Sequence, residues 1–282
     1  ALGSLLPAAA SLMPVIKANA YGHGDLEIAR LCAGAGADAF AVATAAEGVR
    51  LRRGGVRGTI LVLGYSGPEL ALLARYRLTQ TVVSTEHARA LDACGRRLAV
   101  HLKVDTGLHR LGIPWDDTQS LTAPYSCSHL RVTGVFTHLA DTERLDEASQ
   151  ARTREQLRRF RAAVDGLRSA GHAPGTVHFQ GSYGLLNYPG LPCGCARPGI
   201  ALYGSKNIYV RKRAKGTERS DLADQDEGVK MFFGDEPEMP MCYEPTNMDL
   251  AIMPCIDGWF KTEVKPMGQF EAAYQSYHSM MN

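Results

Sequence analysis

The sequence predicts an α/β chain whose parallel strands close into a (β/α)8 barrel of the TIM type. Three observations predict it. Short apolar runs recur eight times within about two hundred residues. Segments with helical spacing of apolar residues lie between them, and that alternation implies parallel strands covered by helices. Residues with chemical potential gather at the ends of the runs, as they do at the C-terminal face of such barrels. A doubly wound open sheet is the competing arrangement.

The strands are expected at Pro14 to Ala18, Ala39 to Ala43, Thr59 to Leu63, Gln80 to Val83, Ala99 to Val104, Val132 to Thr137, Thr176 to Phe179 and Gly199 to Tyr203. After the first strand a Gly-rich turn leads into a helix, with Asp25 expected to cap it. Gln150 to Ala170 is the clearest helix, since Leu157, Phe160, Val164 and Leu167 share one face and Gly171 stops it. Beyond Gly204 the character changes. A basic run from Lys206 to Arg219 is followed by a mostly acidic one from Asp221 to Glu238, and the last forty residues show no period. The barrel is therefore expected over 1–204, and 205–282 as an unassigned extension whose charge runs are solvated and partly disordered.

The chain has 282 residues, 45% hydrophobic and 21% charged, in the range of soluble globular proteins. A net charge of +2 suggests neither nucleic acid nor an anionic membrane as a partner. No stretch is long and apolar enough to span a bilayer. Ala1 to Ala10 lacks the basic start of a signal peptide and runs at once into helix-like sequence, so the chain reads as a fragment or a processed product. Seven cysteines, an odd number, argue against a disulfide framework and for a reducing cytoplasm. Cys193-Gly194-Cys195 is spaced too tightly for a zinc knuckle, so no metal site is expected and the pair reads as two buried thiols.

The most informative segment is Val15-Ile16-Lys17-Ala18-Asn19-Ala20-Tyr21-Gly22-His23-Gly24. It reads as an apolar strand ending on a lysine, with a tyrosine four residues on. A lysine amine attacks an aldehyde only when it has lost its proton, which partial burial promotes. Lys17 is thus a Schiff-base candidate, although most strand-end lysines simply reach solvent. Further polar residues follow other strands: Lys103-Val104-Asp105-Thr106-Gly107-Leu108-His109-Arg110 after the fifth, Thr137-His138 at the sixth, His178 to Gly184 after the seventh and Arg197 to Gly204 around the eighth. Taken singly, His138 suits a hydrogen-bonded core histidine, Arg110 a surface ion pair, Asp105 a turn cap and the glycines backbone geometry. Their order along five strand ends is what singles them out. Ser182, Gly199 and Ile200 stand where such barrels bind phosphate.

The stretch from about residue 5 to 204 resembles the barrel domain of the alanine racemase family. It is most similar to the serine/alanine racemase domain of the vancomycin-resistance type, through Phe40 to Thr44, Leu63-Gly64-Tyr65, Gln80 to Val83 and Gln180 to Pro189. The resemblance implies pyridoxal 5'-phosphate as cofactor, alanine or serine as substrate and a homodimer. It implies that Lys17 carries the cofactor and is one of two catalytic bases. Tyr21 and Ser182 would contact the phosphate, with N–H groups of Gly199 and Ile200. His138 would pack on the pyridine ring, and Arg110 would bond the phenolic oxygen. Lys103 is the lysine that many members carry carbamylated. Arg197 would face the pyridine nitrogen, and an arginine there disfavours protonating the ring and so favours racemisation over transamination.

Family racemases carry the second base, a tyrosine in a Gly-Tyr-Gly/Ala-Asp-Gly motif, on a further, mostly β domain reaching across a dimer interface. That motif does not occur in these 282 residues. Three readings follow: an amino-acid racemase with intact cofactor chemistry, a cofactor-binding protein of the homeostasis type, and a truncated racemase without efficient turnover. The likeness to racemases favours the first.

Overall fold

Strands buried on both faces commonly read as continuous apolar runs. Ala39–Val42 does, Thr59–Val62 does after its threonine, and Thr79–Val82 is buried although three of its four residues are polar. In the computed structural model, which describes residues 2–66 and 70–203, β2 (Ala39–Val42), β3 (Thr59–Val62) and β4 (Thr79–Val82) are almost entirely buried. They continue in order into β5 (Leu98–Asp105), β6 (Leu130–Phe136) and β7 (Thr176–His178), every pairing parallel. A short β1 (Ser11–Leu12) pairs in parallel with β8 (Cys195–Ala196).

Backbone hydrogen bonds close these pieces into a ring. Gly194 N–H donates to Val177 O at 2.7 Å and Arg197 N–H to Gln180 O at 2.8 Å, joining β8 to β7. On the other side Ile16 N–H donates to Ala41 O and Ala41 N–H to Pro14 O, both at 2.9 Å, joining the end of β1 to β2. Eight parallel strands therefore surround one axis, and the open sheet is excluded.

Helices α1 (Asp25–Gly34), α2 (Ala45–Arg53), α3 (Leu70–Arg75), α4 (Thr85–Asp92), α5 (Thr118–Thr122), α6 (Glu147–Ser169) and α7 (Ser182–Asn187) lie between the strands in sequence. The main core sits between barrel and helices, where Phe40, Val42, Ile60, Val82, Val100 and Leu102 meet Val49, Leu73, Leu91, Phe160 and Leu167. A smaller apolar cluster fills the barrel itself: Met13, Val15, Ala39, Ala41, Leu61, Phe136 and Cys195. In the same interior stand the buried polar residues Thr81, His101, Lys103, His178 and Arg197.

Three local expectations are corrected. The first strand does not run on to Ala18: its ladder ends at Ile16, and Lys17 opens a turn. The eighth strand is not Gly199 to Tyr203, which holds a 3-10 turn at Ile200–Tyr203; it is Cys195–Ala196, whose apolar run is only two residues long. Asp25 does not cap α1: Gly24 is the N-cap, and Asp25 pairs with Arg50 at 3.1 Å instead. The extension 205–282, with its charge runs, lies outside the described residues.

Candidate active site

Lys17 is 7% exposed at the head of the turn Lys17–Tyr21. Ala18, Asn19, Ala20 and Tyr21 all have φ between 53° and 56°. A left-handed turn of L-residues costs roughly 1–2 kcal/mol per residue, so the surroundings must impose it. Glu47 does much of that. Its carboxylate accepts from Ala18 N–H at 2.7 Å, Ala43 N–H at 2.7 Å and Thr44 N–H at 3.1 Å, and it completes a capping box with Thr44. One side chain thus ties the lysine turn to the end of β2. Asn19 Oδ1 accepts from Asp25 N–H at 3.1 Å, fastening the turn to α1. The result sets Lys17 Nζ 5.5 Å from the centre of the Tyr21 ring.

The Tyr21 hydroxyl needs Gly199. A Cβ at residue 199 would lie 2.7 Å from Tyr21 Oη. Gly199 N–H and Ala201 N–H donate to Ser182 Oγ at 3.0 and 3.2 Å, which leaves the serine hydrogen free to donate elsewhere. Tyr21, Ser182 and Gly199 are therefore brought together as expected. Ile200 begins the 3-10 turn and is 42% exposed.

The second half of the site is strongly basic. Lys103 is 4% exposed, and its Nζ donates to Val104 O at 3.0 Å. Burial pulls its pKa down to about 7; Asp105 works against this, and Arg197 and Arg110 reinforce it. The pKa of His138 is pushed well below the ordinary value, first by burial and then by Arg197, Arg110, Lys103 and Lys17. Four cations therefore act on one imidazole. Arg197, also 4% exposed, donates to Thr137 O at 2.8 Å and lies over the Phe136 ring at 4.9 Å. Gly181 leaves the room His138 uses, since a Cβ there would stand 3.2 Å from His138 Cε1.

The loop carrying Arg110 is shaped by Asp105. Its Oδ1 accepts from the N–H groups of Gly107, Leu108 and His109 at 3.0 to 3.1 Å, so the turn-cap reading of Asp105 holds. Gly112 lets the loop return, since a Cβ would meet Lys103 O at 2.9 Å. Gln156 of α6 clamps the strand ends, donating to Thr106 Oγ1 and His138 O and accepting from Ala140 N–H. Sequence reasoning did not pick out Glu47 or Gln156. The Thr44-x-x-Glu47 pattern was a readable signal for the first; a lone helical glutamine gives none.

With this geometry in place, comparison with known proteins is decisive. The family model of the alanine racemase N-terminal domain matches residues 1–207. This chain belongs to the alanine racemase family. Over 195 residues it is 43% identical to a serine/alanine racemase of Enterococcus gallinarum, covering 69% of this chain and 28% of that protein. It is 40% identical over 209 residues to an alanine racemase of Geobacter sp. (strain M21), covering 71% and 55%. The solved structure of an alanine racemase of Clostridium difficile 630 in complex with cycloserine matches with a TM-score of 0.68 and 30% identity, over 73% of this chain and 57% of that one. The alanine racemase of Bacillus anthracis with bound L-Ala-P gives a TM-score of 0.69 at 28% identity, over 75% and 56%. The match to the alanine racemase N-terminal domain thus spans about half of these single racemases, and a smaller share of the E. gallinarum protein.

Proposed function

We propose that this chain is the cofactor-holding part of a pyridoxal-phosphate-dependent racemase of alanine or serine, acting in the cytoplasm and as a homodimer. The observation that carries the reading is the set of four basic side chains, Lys17, Lys103, Arg110 and Arg197, converging on His138 inside one barrel mouth. Basic side chains gathered in this way suit an anionic ligand, to which they can offer charge-assisted hydrogen bonds. Pyridoxal phosphate fits: it brings a phosphate, a phenolic oxygen and an aldehyde. Ser182 and Tyr21, cradled by Gly199, would hold the phosphate, with N–H groups of the 199–201 turn. Arg110 would meet the phenolic oxygen and His138 the ring. When bound, the cofactor supplies an electron sink that acidifies the substrate's α-proton.

The chain's own residues do the rest. Lys17, at the mouth of the barrel, anchors the cofactor and moves the proton at the α-carbon on its own face. Arg197 has only donors to offer and burial lowers its pKa to about 10, so it stays charged at neutral pH. Placed against the pyridine nitrogen, it keeps a proton off that atom and restrains transamination. Near neutral pH Lys103 is partly uncharged, and its free amine could add carbon dioxide to form a carbamate with release of a proton. The opposite face of the substrate requires its own proton carrier, which the family places on its C-terminal domain.

The test is borohydride reduction of the cofactor-loaded chain followed by peptide mapping. The label is expected on the Lys17 peptide and lost in Lys17→Ala. Labelling of another lysine, or full labelling of the variant, would overturn the assignment.

A further inference from the structure

Two buried imidazoles in the barrel take no part in the steps above. Arg197 Nη1 lies 2.5 Å from His178 Nδ1. His178 Nε2 lies 2.9 Å from His101 Nδ1. Both rings are almost fully buried, His178 at 0% and His101 at 3% exposed. A guanidinium can only donate, so His178 Nδ1 accepts and its single hydrogen sits on Nε2. That hydrogen is donated to His101 Nδ1, which places the hydrogen of His101 on Nε2. One donor-only side chain thus fixes both tautomers in sequence.

The arrangement is built into the strands. Gly134 makes room for His101, since a Cβ there would stand 2.6 to 2.7 Å from three atoms of its ring. The β5–β6 register shifts between Val100 and His101, at the same level. His101 also lines a polar cavity of about 280 Å³ with Ser11, Thr59, Thr79, Thr133 and Thr176. Ser11, Thr59, Thr79 and Thr176 begin their strands, so this cavity is at the barrel end opposite Lys17.

We propose that His101 is a positioning residue for Arg197, acting through His178 along a tautomer-locked relay that runs from the polar cavity to the active-site mouth. The inference rests on the assignment of Arg197 to the pyridine nitrogen. Protonating either ring would set donor against donor and add a charge beside Arg197. Burial, and then Arg197, oppose this: the pKa of His101 is lowered to about 3, and that of His178 well below its ordinary value. Without an acceptor at residue 101, Arg197 alone holds the His178 hydrogen on Nε2, where it is buried with no partner, and that cost weakens the preference for this tautomer. Its Nδ1 then turns donor for part of the time, and Arg197 loses its hold.

The experiment is nitrogen NMR on the full chain labelled with 15N-histidine, the two rings assigned by their loss in His101→Gln and His178→Asn. His178 is expected bare on Nδ1 and protonated on Nε2; a hydrogen on Nδ1 would overturn the relay without any variant being needed. His101→Leu removes the acceptor and is expected to mix the His178 tautomers. In the cofactor-loaded chain it is expected to raise the ratio of transamination to α-proton exchange several-fold. His101→Gln, which restores an acceptor, is expected to bring both back towards the parent. An unmoved tautomer in His101→Leu refutes the proposal. So does an unmoved ratio, provided Arg197→Gln shifts that ratio. If Arg197→Gln also leaves the ratio alone while the tautomer moves, the relay stands and the assignment of Arg197 to the pyridine nitrogen is what has failed.

Discussion

Lys103 shows how one buried residue links stability to chemistry. An ordinary lysine holds its proton to about pH 10.4, whereas burial brings this one to about 7. The folded state therefore releases the proton before the unfolded chain does. The destabilisation is fully present below pH 7 and fades as pH rises from 7 towards the unfolded value. Lys103→Met should accordingly raise the melting temperature more at pH 6 than at pH 10, as differential scanning calorimetry would show; an equal gain at both would mean that the charge is not the cost. Gly199 makes the complementary point about space. Gly199→Ala puts a methyl 2.7 Å from Tyr21 Oη, so the tyrosine must move. Affinity for the cofactor, read by absorbance titration, should fall about tenfold or more, in line with loss of one charged-group hydrogen bond of roughly 1.5–3 kcal/mol. Unchanged affinity would remove Tyr21 from the phosphate site.

At the scale of elements, the turn Lys17–Tyr21 is the piece most dependent on its neighbours. Glu47→Ala leaves three N–H groups without their carboxylate and removes the capping box. A loss of about 2–4 kcal/mol is expected from the cap and the charged hydrogen bonds together. Faster hydrogen exchange at the Ala18 amide would localise it, and protection equal to the parent would contradict the role given to Glu47. The same turn marks where sequence reading stops. Ala41, Leu61 and Val100 sit in runs whose burial is legible from composition alone, and Leu157, Phe160, Val164 and Leu167 repeat with the helical period, all four buried as expected. Nothing in Lys-Ala-Asn-Ala-Tyr announces four positive φ angles, because only Asn has any local leaning that way. The left-handed turn is imposed from outside, by Glu47 and Asp25. Gly199 to Tyr203 misled for the opposite reason: Ile, Ala, Leu and Tyr are apolar enough for a strand, yet the hydrogen bonds of Gly199 and Ala201 go to Ser182 rather than to a neighbouring strand. The residues around His138 were readable as strand ends; their convergence on one ring was not, because it depends on barrel closure.

For the molecule as a whole, a barrel offers one mouth, and on the proposed reading Lys17 would reach a substrate there from one side. Racemisation removes the α-proton from one face and delivers a proton to the other, so it needs two groups in place. These 282 residues contain no Gly-Tyr-Gly/Ala-Asp-Gly sequence, and Tyr243, Tyr274 and Tyr277 lie outside the described residues. Expressed by itself and loaded with cofactor, the chain should exchange the α-proton of one alanine enantiomer with heavy water while keeping its optical purity. The other enantiomer, whose α-proton points away from Lys17, should exchange slower by the ~10²–10⁴-fold that a positioned acid–base group contributes. Proton NMR follows the exchange and chiral chromatography the purity. Lys17→Ala should abolish the fast exchange, which separates this lysine's contribution from that of free cofactor in solution. Supplying a tyrosine-bearing C-terminal domain from a complete relative should convert exchange into racemisation if the two halves assemble. Fast interconversion of both enantiomers by the chain alone would contradict the single-face account. It would place a second proton carrier within these 282 residues, and a search among the tail tyrosines by substitution would then be the next step.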